Sequence, residues 1–371
     1  MRKLTELSVD EIANFHSTLN QFSLGGEVKR MFRLYQGHLH ETYVSEVRVG
    51  ENTKKYLHQK INTTAFENPE LMLSNIQRIS KVLKMHPERE FSDSLTLIPT
   101  VDDEPYHSDG KLYWRTYNFV EDSISYDICP NDSKGYALGN ATGEFLYLLS
   151  EMPCSEIYDY SPDFQDTFRR WSELQEALSQ GVPERLQTSK CLYEEMRSFE
   201  EDALQIHKAV KGGKLRQQII HGDTKTNNFL FRENSDEVLC LVDIDLCMPA
   251  TPLYDIGDLL RSASAVGRED ERDLSQVGVD SGIMEAVLRG FLSSRFELTD
   301  AEKSLLSFAG FTVSFNLTAR FLADYLRGDV YFPVTRPNHN LERALAQWRV
   351  TTCLHSFRYV IEDLVASAPH C

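Results

Sequence analysis

No two cysteines in this chain stand at C-x-x-C spacing. Its seven cysteines (Cys129, Cys154, Cys191, Cys240, Cys247, Cys353 and Cys371) are odd in number and scattered. That pattern speaks against a disulfide framework and against a zinc site built on paired cysteines. Positive charge is also scarce, with 39 Lys plus Arg against 56 Asp plus Glu and a formal net charge of -17. Such a chain repels nucleic acid and anionic membrane surfaces, so neither is expected as a partner. A phosphate-bearing ligand would have to be met by a few placed cations or by a metal ion. No stretch of about 18 consecutive apolar residues occurs, and the opening MRKLTELSVDEIANF lacks the apolar centre of a signal peptide. A soluble, cytoplasmic protein is expected. Internal repeats and low-complexity tracts are missing too, and 371 residues exceed one typical core, so two units are expected.

What is present changes period along the chain. Ser8-Val9-Asp10-Glu11 has capping-box spacing, and Ile12, Phe15, Leu19 and Phe22 follow at helical intervals. Arg33 to Val49 and Lys54 to Ile61 read as strands, with Gly37 in a turn. Asn68-Pro69 then caps a helix carrying Leu71, Met72, Ile76, Ile79 and Leu83, and Tyr113 to Val120 reads as a further strand. These elements make a small α+β lobe ending near residue 120. Beyond it the pattern is mostly helical. Gly135, Gly139 and Gly143 stand four apart on one helix face, where another backbone can approach. A long helix is predicted from Ser189 to Gly212-Gly213, and Gln217 to Ile220 reads as a short strand. Phe229-Leu230-Phe231 and Val238 to Ile244 form an antiparallel hairpin across the turn ENSDE. Thr299 to Glu302 caps a late helix, and the charge run REDERD (268–273) reads as a solvated segment.

The chemistry concentrates in HGDTKTNN, residues 221–228. Phosphoryl transfer needs an acceptor for the substrate hydroxyl proton, oxygen ligands for magnesium, and support for the nucleotide phosphates. A loop Asp, an Asn five residues on, and an Asp at the end of a following strand make one known arrangement. Asp223, Asn228 and Asp243 match that order, with Asp223 as base and the other two as ligands of Mg2+. Magnesium takes hard oxygen ligands and keeps waters, so one amide oxygen, one carboxylate and the ATP phosphates suffice. His221 reads as a brace of the loop rather than as a catalyst.

The combination HGDTKTNN, LVDIDLCMP and LYDIGDLLR resembles the aminoglycoside phosphotransferase and choline kinase superfamily. More narrowly, with YQGHLHETY, YLHQKIN and ARFLADYLRGDVYF (residues 319–332), the chain is similar to the N-acetylhexosamine 1-kinases. This resemblance implies an α+β, two-lobed, protein-kinase-like fold, with a small mixed nucleotide-binding lobe over residues 1–119 and a mainly helical catalytic lobe over 120–371. It implies that Asp255 braces the catalytic loop; read from the residues alone, Asp255 and Asp258 equally suit the start of a helix. On the phosphate side GHLHETY has one glycine instead of G-x-G-x-x-G, and Gly37 is its expected phosphate turn. Gln59 stands where many relatives carry a cation, Lys60 follows on the opposite face, and the choice between them stays open. Phe119 and Val120 in YNFV would form the hinge that meets adenine.

For the acceptor the resemblance points to His38, Asp245, Arg320 and Tyr331. It implies ATP- and Mg2+-dependent phosphorylation of the anomeric hydroxyl of N-acetylglucosamine or N-acetylgalactosamine by a monomer. The relatives have Asn at position 222 and Arg-Phe after the LYDIGD helix, where this chain has Gly222 and Arg261-Ser262; those departures bear on sugar selectivity. Two alternatives remain. One keeps the fold and changes the acceptor to an aminoglycoside, choline, ethanolamine or another sugar. The other is a non-catalytic nucleotide-binding regulator, supported by Gln59 and opposed by the intact Asp223, Asn228 and Asp243.

Overall fold

The computed structural model describes residues 4–35, 40–64, 66, 68–86, 96–159 and 164–367. Strands and helices run in the order β1 (Leu4–Glu6), α1 (Val9–Leu19), β2 (Glu27–Leu34), β3 (Glu41–Val49), β4 (Asn52–Lys60), α2 (Pro69–Lys84), β5 (His107–Ser108), β6 (Tyr113–Asn118) and β7 (Ser123–Ile124). They continue with α3 (Asp132–Leu149), α4 (Thr167–Gln180), α5 (Pro183–Ser198), α6 (Glu200–Ala203), α7 (Gln205–Lys211), β8 (Gln218–Ile220), β9 (Phe229–Arg232), β10 (Val238–Leu241) and β11 (Met248–Ala250). The chain closes with α8 (Leu253–Ser264), β12 (Ala265–Val266), β13 (Gly278–Val279), α9 (Ser281–Leu292), α10 (Asp300–Leu305), α11 (Ala309–Arg327), α12 (His339–Ser356) and α13 (Arg358–Ser367). The fold is α+β, in two compact units. The first takes in Met1–Ile124, Ser155–Tyr160 and Leu230–Ser235, and the second Ser125–Cys154, Ser161–Phe229 and Asp236–Cys371.

The division is therefore not a single cut at residue 119, and side-chain chemistry explains why. The Asn75 amide of α2 donates to Tyr158 O (2.7 Å) and accepts from Tyr158 N (2.9 Å), holding that segment to the first unit. Strand β7 likewise pairs with β9, Ile124 opposite Phe231. The unit's main sheet has the order β1-β2-β3-β4-β6-β5 and every described pairing in it is antiparallel. One face buries Met31, Tyr43, Val47, Tyr56 and Trp114 against Leu19 and Phe22, with Phe15 and Ile12 of α1 packed on the edge. The capping box on α1 forms, Ser8 Oγ accepting from Glu11 N and Glu11 Oε2 from Ser8 N. Strand β2 begins at Glu27, earlier than the apolar pattern suggests, because its outer residues face solvent.

In the second unit α11 is central. Trp171, Leu174, Leu192, Met196 and Trp348 pack around its Phe311, Phe315 and Leu322. The stretch Asp300–Arg327 is long and apolar enough to cross a membrane, but 83% of its most apolar window is buried inside the fold. Helices α3 and α9 meet at the glycines. A Cβ on Gly139 would run into the Val287 carbonyl, and one on Gly290 into that of Tyr136. The long helix expected from Ser189 starts instead at Pro183 and is broken into α5, α6 and α7, because Phe199 and Leu204 leave ideal helical geometry. REDERD is largely solvent-exposed, as expected, and is also pinned by ion pairs. Asp270 pairs with Arg336 and His339 (both 3.1 Å), Arg272 with Glu342 (3.1 Å) and Glu269 with Arg343 (3.3 Å), since α12 presents the complementary charges.

Candidate active site

The loop 221–228 follows the short strand expected near Gln217–Ile220, which is held in a two-stranded ribbon whose other strand the sequence pattern does not announce. Strands β8 and β11 pair antiparallel, Ile220 opposite Met248, so the residues after β8 run beside those before β11. Gly222 has φ +82°, and a Cβ there would lie 2.6 Å from Leu246 O, which accounts for glycine at this position. Val242 N donates to Asn228 O (2.8 Å), closing the open end of the hairpin strands.

Buried groups then fix the loop's backbone. Asp255, fully buried at the start of α8, accepts His221 N on Oδ2 (2.7 Å) and Gly222 N on Oδ1 (2.8 Å), while Thr224 Oγ1 donates to its carbonyl (2.5 Å). Burial pushes the Asp255 carboxyl up to about 7, against the two N–H donors that favour its charge. His221 Nδ1 accepts from Asp223 N (3.2 Å), so the network assigns the proton to Nε2, which donates to Val242 O (3.0 Å). Burial pulls this imidazole down to about 4 and keeps it neutral. Ser262, at one of the positions that departs from the sugar-kinase pattern, accepts Thr226 N on Oγ (3.1 Å) and so ties the loop to α8.

Asp223 is tethered by one oxygen. Its Oδ2 accepts from Lys225 Nζ (2.7 Å) and Asn228 Nδ2 (3.0 Å), and no donor among the described residues reaches Oδ1. Burial raises this carboxyl, but Lys225, His221 and Asn228 together outweigh it and leave the group below its ordinary value. Lys225 is in turn opposed by burial and held charged by Asp223 and Asp243. Asp243 follows β10 with φ 67° and ψ 49°, a left-handed conformation that costs a non-glycine residue about 1–3 kcal/mol and persists only where the surroundings impose it. It turns the chain into the short 3-10 helix Ile244–Leu246, which buries Asp245. Strand β10 consequently ends at Leu241 rather than Ile244. The Asn228 amide nitrogen faces Asp223, so its amide oxygen is the neutral hard ligand that, with the Asp243 carboxylate, would make up the donor set. Among the described residues no cluster of three or more His, Cys, Asp or Glu could hold a metal alone. This two-oxygen donor set suits an ion that takes its other ligands from phosphate and water, as magnesium does.

On α8, Asp258 accepts two hydrogen bonds from Arg261 on Oδ1 (2.9 and 2.7 Å). Farther along the same unit, Arg320 of α11 lies over the rings of Phe164 (5.2 Å), Phe332 (5.3 Å) and Tyr331 (5.6 Å) with no carboxylate within ion-pair distance among the described residues. Burial draws its guanidinium below the usual value. Tyr331 itself is 65% exposed; Asp324 positions it by accepting the backbone N–H groups of Val330, Tyr331 and Phe332 at 2.9–3.0 Å.

In the first unit Gln59 and Lys60 point to opposite faces. Lys60 Nζ pairs with Glu41 (2.7 Å), opposite Trp114 in the register. Gln59 Oε1 accepts from Arg115 Nε (2.9 Å), and Arg115 is only 1% exposed. Phe119 N donates to Lys55 O (3.1 Å), and Val120 O accepts from Ser123 Oγ (2.7 Å). Gly37 and His38 lie outside the described residues. The sequence reading did not single out Lys225, a lone cation two residues from Asp223, or Arg115, whose relation to Gln59 is set by strand register.

A family model described as the phosphotransferase enzyme family matches residues 77–291, more than half of the chain, and the chain belongs to that family. The fold is similar to that of an aminoglycoside phosphotransferase from Alicyclobacillus acidocaldarius, with a TM-score of 0.58 at 15% identity over 94% of this chain and 95% of that one. It is likewise similar to a spectinomycin phosphotransferase solved with ADP and spectinomycin, with a TM-score of 0.58 at 12% identity over 96% and 98%. A choline kinase from Streptococcus pneumoniae matches with a TM-score of 0.52 at 12% identity over 94% and 99%.

Proposed function

We propose that this phosphotransferase moves the terminal phosphoryl group of ATP to the anomeric hydroxyl of an N-acetylhexosamine, GlcNAc or GalNAc, giving the 1-phosphate. In this reading the hydroxyl donates to Asp223 Oδ1, the oxygen left over once Lys225 and Asn228 hold Oδ2. A bond forms between the anomeric oxygen and the terminal phosphorus, the bond to the bridging oxygen of ADP breaks, and the proton passes to Asp223. An anomeric hydroxyl is more acidic than an ordinary alcohol, which suits a carboxylate held below its usual range. Asn228 and Asp243 would hold magnesium, which when bound neutralises phosphate charge. On the nucleotide side Phe119 and Val120 form the hinge. Arg115, braced by Gln59, supplies the cation that Lys60 cannot, because Lys60 is committed to Glu41 on the other face.

The observation that carries the acceptor reading is Arg320. A partly buried guanidinium with no acid partner among the described residues, framed by three aromatic rings, opposes a cationic acceptor and suits an uncharged polyhydroxyl one. Tyr331 stands beside it, and we assign the buried Asp245 after β10 to the same sugar-type lining. The similar structures include a choline kinase and an aminopropanol kinase, and these support an amino-alcohol acceptor as a second reading. A coupled ADP-release assay over N-acetylhexosamines, hexoses, aminoglycosides and amino alcohols separates the two. The highest kcat/KM is expected for an N-acetylhexosamine; a higher value for choline, ethanolamine or an aminoglycoside overturns the assignment.

A further inference from the structure

Helix α11 is buried along almost its whole length, yet Thr312, Asn316, Arg320 and Asp324 follow one another at four-residue intervals and so share one face. A polar stripe on a core helix needs partners for each member, because an unmet buried donor or acceptor costs stability. Asp324 has them, accepting three backbone N–H groups and the Asn340 amide (2.9 Å). Among the described residues the other three are only partly met or not met. Asn316, 3% exposed, donates from Nδ2 to Gln165 O (3.2 Å) and leaves Oδ1 without a partner. Thr312 Oγ1 is buried and also unpartnered, and Arg320, hydrogen-bonded to the exposed Tyr331, has no acid partner among the described residues.

The stripe leads toward the reacting groups. Gln165, whose carbonyl holds Asn316, donates from Nε2 to Gly222 O at 3.5 Å, and Gly222 precedes Asp223. Asn316 is therefore two hydrogen-bond links from the backbone beside Asp223 and one helical turn, about 6 Å, from Arg320. Arg320 can only donate, and the unused part of Asn316 can only accept.

We infer that Asn316 is an acceptor-binding residue, its Oδ1 taking a hydrogen bond from an N–H or O–H of the same molecule that Arg320 donates to. This rests on the reading of Arg320 as an acceptor contact and adds a requirement to it. The acceptor carries a hydrogen-bond donor and a separate oxygen about one helical turn apart, as an acetamido group or neighbouring ring hydroxyls do. A quaternary ammonium has no N–H to offer and fails that requirement.

The test is Asn316→Leu, which matches the branched shape and removes the acceptor atom together with the Nδ2 bond to Gln165 O, compared with wild type in ADP release. For the best acceptor, kcat/KM should fall roughly ten- to a hundredfold, the cost of one lost buried hydrogen bond. KM for ATP should hold within about twofold, and Tm should shift little, because the lost bond to Gln165 O is offset by removal of the unmet oxygen. Unchanged acceptor kinetics overturn the inference and assign Oδ1 to an ordered water. Equal losses in Tm, ATP and acceptor kinetics overturn it in favour of a structural role. Should the variant not fold, wild type is tested against acceptor analogues in which each N–H or O–H in turn is methylated. One replacement away from the reacting hydroxyl should cost at least about tenfold, and a uniformly flat series overturns the inference. If wild type proves to phosphorylate something other than an N-acetylhexosamine, the sugar reading fails separately, and the same variant on the true acceptor still decides the role of Asn316.

Discussion

The two units assemble their polar groups by different geometries. In the second unit, His221, Asp223, Asn228, Asp243, Asp255 and Asp258 all come from the continuous segment 221–258, where Asn228 meets Asp223 five residues away and Asp255 reaches back 33 and 34 residues to the loop backbone. In the first unit the interior polar groups come from three different strands, between 13 and 58 residues apart. Ser45 of β3, His58 of β4 and Thr116 of β6 meet on one face of the sheet, and Thr42, Gln59 and Arg115 meet on the other. Local spacing encodes the first kind of site and strand register the second. The loop of the second unit can accordingly be broken by single substitutions with large, specific effects, whereas in the first unit function and folding share the same side chains.

The largest effect belongs to Asp223→Asn. Turnover should fall at least about a hundredfold with ATP affinity within a few-fold of wild type, because the group acts in the chemical step. Steady-state kinetics with a direct nucleotide-binding measurement checks this, and retained turnover removes Asp223 from the mechanism. Next come Asp243→Ala and Asn228→Ala, each of which should raise the magnesium concentration needed for half-maximal rate. Asp243→Ala should be the more severe because it removes a full charge. Magnesium titrations that superimpose on wild type would place the ion elsewhere.

How much of this was legible in sequence follows from the same contrast. The α+β class, both capping boxes, the glycine face of α3 and the hairpin strands could be read because each depends on residues a few positions apart. Strand β8 could be read too, but its pairing with β11 could not, since Met248–Ala250 carries too little pattern, and neither could the breaks at Phe199 and Leu204, which no proline or glycine marks. The ion pairs that pin REDERD depend on α12 lying alongside. Arg115 escaped notice because YWRTYNFV reads as an apolar strand, and only the register Gln59 opposite Arg115 reveals the pair.

Arg115 also allows the comparison to be sharpened. Arg115→Leu should raise KM for ATP about tenfold, the cost of one charge-assisted contact, and lower Tm as well, since the side chain is both buried and hydrogen-bonded to Gln59. Lys60→Ala should leave both within about twofold, because a partly exposed pair with Glu41 contributes little. If Lys60→Ala is the damaging change in ATP kinetics and Arg115→Leu only destabilises, the nucleotide-side assignment reverses.

The smallest effect concerns acidification. His58 is buried between Ser45 Oγ (2.7 Å) and Thr116 Oγ1 (2.9 Å), and burial pulls its imidazole down to about 3. An unfolded histidine titrates near 6.5, so between that pH and about 3 the unfolded chain binds a proton that the folded one refuses. The stability this group contributes is complete above about pH 6.5 and drains away as the pH falls, by up to roughly 2 kcal/mol between pH 7 and 5. In the second unit His221, pulled down to about 4, acts in the same direction, but Asp255, pushed up to about 7, acts in the opposite one. Between about pH 4 and 7 the folded chain keeps a proton on Asp255 that the unfolded chain has lost, so that contribution grows as the pH falls. Hydrogen exchange, corrected for intrinsic rates, should then show β4 and β6 losing protection between pH 7 and 5 faster than β8 and α8. His58→Gln, which can still reach both hydroxyls, should flatten the response of β4 and β6 even if it lowers their protection at pH 7. Equal pH slopes in the two units, or an unaltered slope in His58→Gln, would mean that the linkage lies in other groups.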